Sequence, residues 1–220
     1  MAFSHGAKSR LTDHDLRRFP SATLIDRIGR AVCGAGCLPR KELYEAWEVA
    51  RRARRLFRGG RIVDLGGGHG LLAQVMLLLD DSSPSAVIAD TAIPASAAKL
   101  HAVLTAEWPR LADRVEFREQ SLDTIDLLPT DVVVSSHACG ALTDTILARA
   151  AAARARVAVL PCCHDAQTCD AGPLAGWMDR ALATDTMRAV RLESSRYRVW
   201  TQTIPITITP KNRLLMGSPL

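Results

Sequence analysis

The sequence predicts an α/β fold, a seven-stranded doubly wound sheet that ends in a C-terminal antiparallel hairpin and is preceded by N-terminal helices. Three observations lead there. Short apolar runs alternate with helix-length segments between residues 61 and 184, the first run ends in a glycine-rich turn, and the tail after residue 196 changes to alternating, β-branched stretches. A sheet of this kind takes its ligands at the carboxyl ends of the strands.

Residues 1–60 read as a helical extension and residues 61–220 as the sheet domain. Residues 1 to about 10 are expected to be disordered. Thr12-Asp-His-Asp-Leu-Arg-Arg-Phe19 opens a helix with capping residues, and the chain continues helically from residue 21 to 32 after a bend at Pro20. Cys33-Gly-Ala-Gly-Cys37 breaks that helix. Residues 38–57 form the next one, with Leu43, Ala46, Trp47, Ala50 and Ala53 on one face. Its other face carries Arg51, Arg52, Arg54, Arg55 and, just beyond, Arg58, either as a solvated surface or as a patch for phosphates.

Arg61-Ile-Val-Asp-Leu-Gly-Gly-Gly-His-Gly70 then reads as strand, tight turn and helix start. Ile62, Val63 and Leu65 suit a buried parallel strand, and the glycines permit positive φ and close approach of a ligand to the backbone. Residues 71–79 are helical by length and composition, so their first N–H groups and dipole face whatever sits on the turn. Residues 85–90 form a second strand ending in Asp90, twenty residues beyond Gly70, where nucleotide-binding α/β folds place a carboxylate for ribose hydroxyls. A helix over 92–107, a strand over 114–118, a strand over 131–135 and a helix through Ala153 follow. Residues 157–160 form the fifth strand and 173–184 another helix; residues 197–204, 206–208 and 213–216 supply the terminal β segments around a turn at Pro210-Lys-Asn212.

The composition, 48% hydrophobic and 23% charged over 220 residues, is that of one sizeable globular core. Apolar runs stop short of the ~20 residues of a membrane span and the N-terminus lacks a signal-peptide core, so no membrane association and a cytoplasmic location are expected. Six cysteines, at 33, 37, 139, 162, 163 and 169, are too few for a disulfide scaffold and read as free thiols or ligands. The net charge of +5 is uneven: residues 1–61 hold 14 Lys/Arg against 6 Asp/Glu (+8), and residues 62–220 hold 14 against 17 (−3).

Two cofactors compete for the glycine turn. Gly68-His-Gly70-Leu-Leu-Ala73 fits the dinucleotide pattern G-x-G-x-x-A with its acid at Asp90. Asp64 inside the turn, the Ser121-Leu122 element after strand three and the closing hairpin favour S-adenosylmethionine instead. With these residues, the chain from 61 to 216 resembles the class I S-adenosylmethionine-dependent methyltransferases, which have a Rossmann-like sheet. The resemblance implies that Asp64, Gly66 and Gly68 hold the methionine end of the cofactor, Asp90 its ribose, and Ser121 and Leu122 the adenine. That family often has Asp where Ser121 stands.

The acceptor chemistry is expected after strands four and five. His137, Cys139, Gly140, Thr143, Asp144, Cys162, Cys163 and His164 resemble the His-x-Cys-Gly, Thr-Asp and Cys-Cys-His-His motifs of the tRNA 2′-O-methyltransferases acting near the acceptor stem, with Asp165 in place of the second His. The resemblance implies an RNA acceptor, with the basic N-terminal helix as its contact and His164, His137, Asp144 and Cys162 as catalytic candidates. The residues themselves leave several chemistries open. His164 or His137 is a general base for a hydroxyl or ring nitrogen; Cys162 is a nucleophile toward a pyrimidine C6 with Cys139 assisting release, as in RNA cytosine-5 methyltransferases; or the thiols only pack the strand ends. Zinc held by Cys139, Cys162, Cys163, His164 and Cys169 is a further alternative, but Cys-Cys-His-x4-Cys fits no standard finger, and no metal ligands are assigned. A small-molecule or protein methyltransferase, and a non-catalytic partner subunit that binds cofactor or metal, are the competing functions.

Overall fold

The computed structural model describes residues 4–220. Helices α1 (Leu24–Ala35) and α2 (Arg40–Leu56) precede the sheet. Then come β1 (Ile62–Leu65), α3 (Leu71–Leu79), β2 (Ala86–Asp90), α4 (Ser96–Glu107), β3 (Val115–Glu119), β4 (Val132–Ser135), α5 (Leu142–Ala152), β5 (Arg156–Val159), α6 (Arg180–Ser194), β6 (Tyr197–Thr203) and β7 (Arg213–Pro219). The strand order is β3-β2-β1-β4-β5-β7-β6. Strands β1 to β5 pair in parallel, and β7 runs antiparallel to both β5 and β6. The expected seven-stranded, doubly wound sheet with a closing hairpin is therefore observed.

Side chains alternate across the sheet as a strand's period of two requires. Ile62, Ile88, Val132 and Val134 join one apolar layer with the residues of α2 and α3, while Val63, Leu65, Val133 and Val157 join the layer under α5 and α6. Helix α3 is apolar on all sides, and its residues from Leu71 to Leu78 are buried, the environment such a helix needs. The extension is continuous with this core: Leu11, Phe19, Leu43, Val49 and Phe57 are buried in the same layer as Ile62.

Four expectations are corrected. The expected disorder of residues 1 to about 10 lies outside the described residues for 1–3. Residues 4–10 are tied to α2: Lys41 N–H donates to the Ala7 carbonyl, Arg40 N–H to that of Ser9, and the His5 ring packs edge-on to Tyr44 at 4.3 Å. Helix α1 runs through Cys33 and ends only at Ala35, where Gly36 (φ 64°) adopts the left-handed cap. The segment around Pro173 forms a short 3-10 turn, and α6 starts at Arg180, because Asp179 caps it by accepting the Leu182 N–H at 3.0 Å. Residues 206–208 turn, with Ile206 72% exposed and Ile208 buried, so the hairpin has two long strands and a loop.

Candidate active site

The carboxyl ends of β1, β2 and β4 open on one cavity of about 510 Å3, at the point where strand order reverses between β1 and β4. Its floor is the glycine turn. Gly66 and Gly68 line it; Gly68 has φ 50°, and a side chain there would project into open space, so the missing Cβ leaves a cradle. Gly70 (φ 70°) caps α3, and a Cβ on it would come within 2.3 Å of Ile88 Cδ1. The turn is tied to the next strand through Asp90, whose Oδ2 accepts the Gly68 N–H at 3.0 Å while the side chain stands on the cavity wall.

Asp64 is placed differently from what the resemblance implies. It is 1% exposed and lies beneath the turn instead of on the wall, and neither carboxylate oxygen has a hydrogen-bond partner among the described residues. Burial pushes its pKa up to about 7; the Ala73 amide, near but outside hydrogen-bond geometry, pulls it down, and Asp90 adds to the rise. An unpaired carboxylate buried under a glycine cradle is costly unless a cation comes near. The ammonium of an amino-acid moiety is such a cation, and Asp90 suits ribose hydroxyls. The residues present therefore fit S-adenosylmethionine.

Ser121 and Leu122 stand on the wall after β3, as expected, and Asp123 stands beside them. Asp123 was missed because the acid was sought at position 121; it lies two residues further, past the start of a 3-10 turn over Leu122–Thr124. Leu38, Glu42 and Ala46 close the cavity from the extension. Glu42 and Ala46 share one face of α2 at i,i+4 spacing, but only the packing of α2 on α3 shows which face meets the cavity. His69 of the turn also lines the cavity and bonds Ser96 Oγ at 2.9 Å.

The arginine run on α2 is mostly paired within the chain. Arg54 is 3% exposed and reaches the carbonyls of Met76 and Phe57, Ser83 Oγ and Asp80. Arg51 and Arg52 pair with Glu48, and Arg58 with Asp80 at 3.4 Å; Arg55 is exposed. The cavity-facing residues of α2 include an acid and no arginine.

Of the acceptor candidates, His137 stands exposed on the cavity wall and Cys139 beside it; Cys162 reaches Cys139, with 2.9 Å between sulfurs. His164 and Asp144 are not brought there. His164 Nε2 meets Asp185 Oδ1 at 2.7 Å with its side chain 7% exposed. Arg188 pairs with Asp144 at 2.7 Å and Asp185 at 3.1 Å and donates to the Gly140 carbonyl at 2.9 Å; Arg213 pairs with Asp185 at 2.6 Å. This buried network pins the loops after β4 and β5 to α6 and β7. Burial alone would raise the Asp185 pKa, but the hydrogen bonds from His164 and Arg213 hold it below its usual value. Burial likewise opposes the charge on Arg188, and Asp144 and Asp185 outweigh it, raising the Arg188 pKa. Asp185 and Arg188 went unnoticed because their helix was placed too early; an acid and an arginine at i,i+3 are the available signal.

The model of a family described as "Methyltransferase domain" matches residues 42–168, from the middle of the extension to the loop after β5. No curated protein sequence matches. Among solved structures, an O-methyltransferase family protein from Burkholderia thailandensis superposes with a TM-score of 0.55 at 16% identity, covering 98% of this chain and 65% of that one. A mitomycin 7-O-methyltransferase gives 0.54 at 20% identity, covering 96% and 64%. A protein described as a candidate RNA methyltransferase from Pyrococcus horikoshii gives 0.51 at 15% identity, covering 84% and 86%. The chain thus spans just under two thirds of the length of the O-methyltransferases it matches, and these likenesses establish the fold.

Proposed function

The chain belongs to the methyltransferase-domain family whose model it matches over residues 42–168, and on that premise we propose that it transfers a methyl group from S-adenosylmethionine to RNA, tRNA first, at a hydroxyl or ring nitrogen. One observation carries this reading: the glycine turn with Asp90 and the His137–Cys139 segment are walls of the same cavity. When bound, S-adenosylmethionine supplies a methyl group on a positively charged sulfur. The chain's own residues do the rest. Asp90 accepts hydrogen bonds from ribose hydroxyls, the amides at the start of α3 and the buried charge of Asp64 hold the amino-acid end, and Ser121, Leu122 and Asp123 flank the base. Alignment in one cavity supplies most of the rate. His137, exposed on the wall, takes the acceptor's proton. His164 and Asp144 position the loop that carries His137 and Cys139 through Asp185 and Arg188.

The RNA acceptor rests on the resemblance of His137 to Asp144 and Cys162 to His164 to the tRNA 2′-O-methyltransferases, and on the +8 balance of residues 1–61. A small-molecule acceptor is the second reading, favoured by the arginines of α2 that are already paired within the chain. Mass spectrometry of nucleosides from wild-type cells and from cells lacking the gene separates the two. A methylated nucleoside that disappears with the gene supports RNA; an unchanged profile, together with no methyl incorporation into total RNA from the deletion strain, removes it. RNA affinity should also fall ~10-fold or more between about 50 and 200 mM salt, whereas a neutral small acceptor is indifferent.

A further inference from the structure

The loops after β4 and β5 bring three thiols to one point. Cys139 Sγ lies 2.9 Å from Cys162 Sγ, Cys162 Sγ lies 3.8 Å from Cys163 Sγ, and all three sulfurs fall within 4.8 Å of one another. Tetrahedral zinc with ~2.3 Å bonds to thiolates sets its sulfurs about 3.8 Å apart, so small side-chain rotations suffice to receive an ion. Successive side chains of a strand point apart; the chain leaving β5 instead bends so that neighbouring Cys162 and Cys163 face the same sulfur.

The other residues of the Cys/His cluster are engaged elsewhere. His164 is held by Asp185, and the Cys169 sulfur accepts from buried Arg188 at 3.6 Å. That leaves a three-thiol set, and Cys139, exposed, also lines the cofactor cavity. Three protein ligands with one position open to a cavity is the arrangement of zinc sites that act on a substrate, in contrast to the closed four-ligand sites that only hold a fold. Lys211 Nζ, 3.7 Å from Cys163 Sγ, supplies the charge such a site needs. A divalent ion replacing three thiol protons leaves the centre with one net negative charge, and the ammonium offsets it.

We propose that Cys139, Cys162 and Cys163 bind one soft divalent cation, zinc by its ligand chemistry, and leave a fourth position toward the cofactor cavity for water or the acceptor. Binding releases three thiol protons, and an acceptor hydroxyl on the ion loses its own proton more readily, with His137 as the receiver. The ion site stands on the three sulfurs alone; the acceptor's place on it rests on the methyl-transfer reading.

The test uses the full chain, purified without a polyhistidine tag, reduced, stripped with a chelator and titrated with zinc sulfate or cobalt(II) chloride, with S-adenosylhomocysteine titrated into the same samples. About one zinc per chain should survive dialysis, and cobalt should give thiolate charge-transfer bands with the visible absorption of a tetrahedral ion. C162S/C163S should lower zinc affinity at least ~100-fold and abolish the cobalt spectrum, while C169A keeps both. Less than about one ion per ten chains, or a cobalt spectrum retained in C162S/C163S, overturns the proposal. So does a Cys139–Cys162 disulfide whose reduction does not restore zinc uptake. A chain that fails to take zinc yet binds S-adenosylhomocysteine loses only the metal site; one that takes zinc but not S-adenosylhomocysteine loses the methyl-transfer reading instead.

Discussion

The donor half of the cavity is built from short stretches of chain, residues 64–70, Asp90 and 121–123, each at the end of its own strand. The acceptor half, His137 and Cys139, is held from behind by side chains far apart in sequence, with Gly140, Asp144, His164, Asp185, Arg188 and Arg213 joined through one network outside the cavity. A site made by backbone turns at strand ends follows once the strands are placed. A site made by ion pairs across 20 to 50 residues follows only from the finished packing. The two halves should therefore fail differently, the first in ligand affinity and the second in stability.

The largest expected effect is on the acceptor half. Arg188→Met removes the fully buried member of the ion network, so that Asp144 loses its nearest partner and Asp185 keeps only His164 and Arg213, and should lower the unfolding free energy by about 3 kcal/mol in urea denaturation. The cofactor affinity of the folded fraction should stay near wild type; an unchanged denaturation midpoint would show that the network braces nothing.

Next in size is Asp90→Ala, which removes a charged acceptor from both the cofactor hydroxyls and the Gly68 amide and should weaken binding by about 2–3 kcal/mol. Asp64→Asn should split the two properties. A carboxyl whose folded pKa is raised from 3.8 to about 7 adds no cost at acid pH, and its cost grows as pH rises from about 4 to 7. The variant should thus be more stable than wild type at pH 8, by on the order of 1–3 kcal/mol, while binding S-adenosylhomocysteine about tenfold more weakly. Thermal melts at pH 5 and pH 8 check the sign, and a variant no more stable at pH 8 contradicts the account of Asp64.

The smallest effect concerns acid. Asp185 has a lowered folded pKa, so its contribution is present above the unfolded value of 3.8 and is lost as pH falls through the folded one. Near-ultraviolet circular dichroism should show Trp200, within β6 and packed on Phe57, loosening below about pH 4, and Asp185→Asn should flatten that transition.

Much of the donor half was legible in the sequence for the same local reason. Residues 71–79 were placed as a helix and occupy α3 without a shift, since an apolar run behind a glycine turn has few alternatives. Ser121, Leu122 and Asp90 reach the cavity wall because strand ends converge there. What stayed hidden depended on packing. Ile206 and Ile208 are β-branched and read as strand, yet Pro205 and Pro210 bracket them and a turn results. The arginines of α2 and Arg58 read as a solvated face or a phosphate patch, but Arg51, Arg52, Arg54 and Arg58 pair with Glu48, from α2 itself, and with Asp80, from the end of α3. His164 looked catalytic from its cysteine neighbours, and only the position of α6 turns it toward Asp185.

The account's central claim is that donor and acceptor groups occupy separate walls of one cavity. Isothermal titration of S-adenosylhomocysteine into wild type, Asp90→Ala and His137→Ala tests it most directly. The account predicts equal affinity for wild type and His137→Ala and a loss of at least ~30-fold for Asp90→Ala; Asp90→Ala binding as tightly as wild type would contradict it.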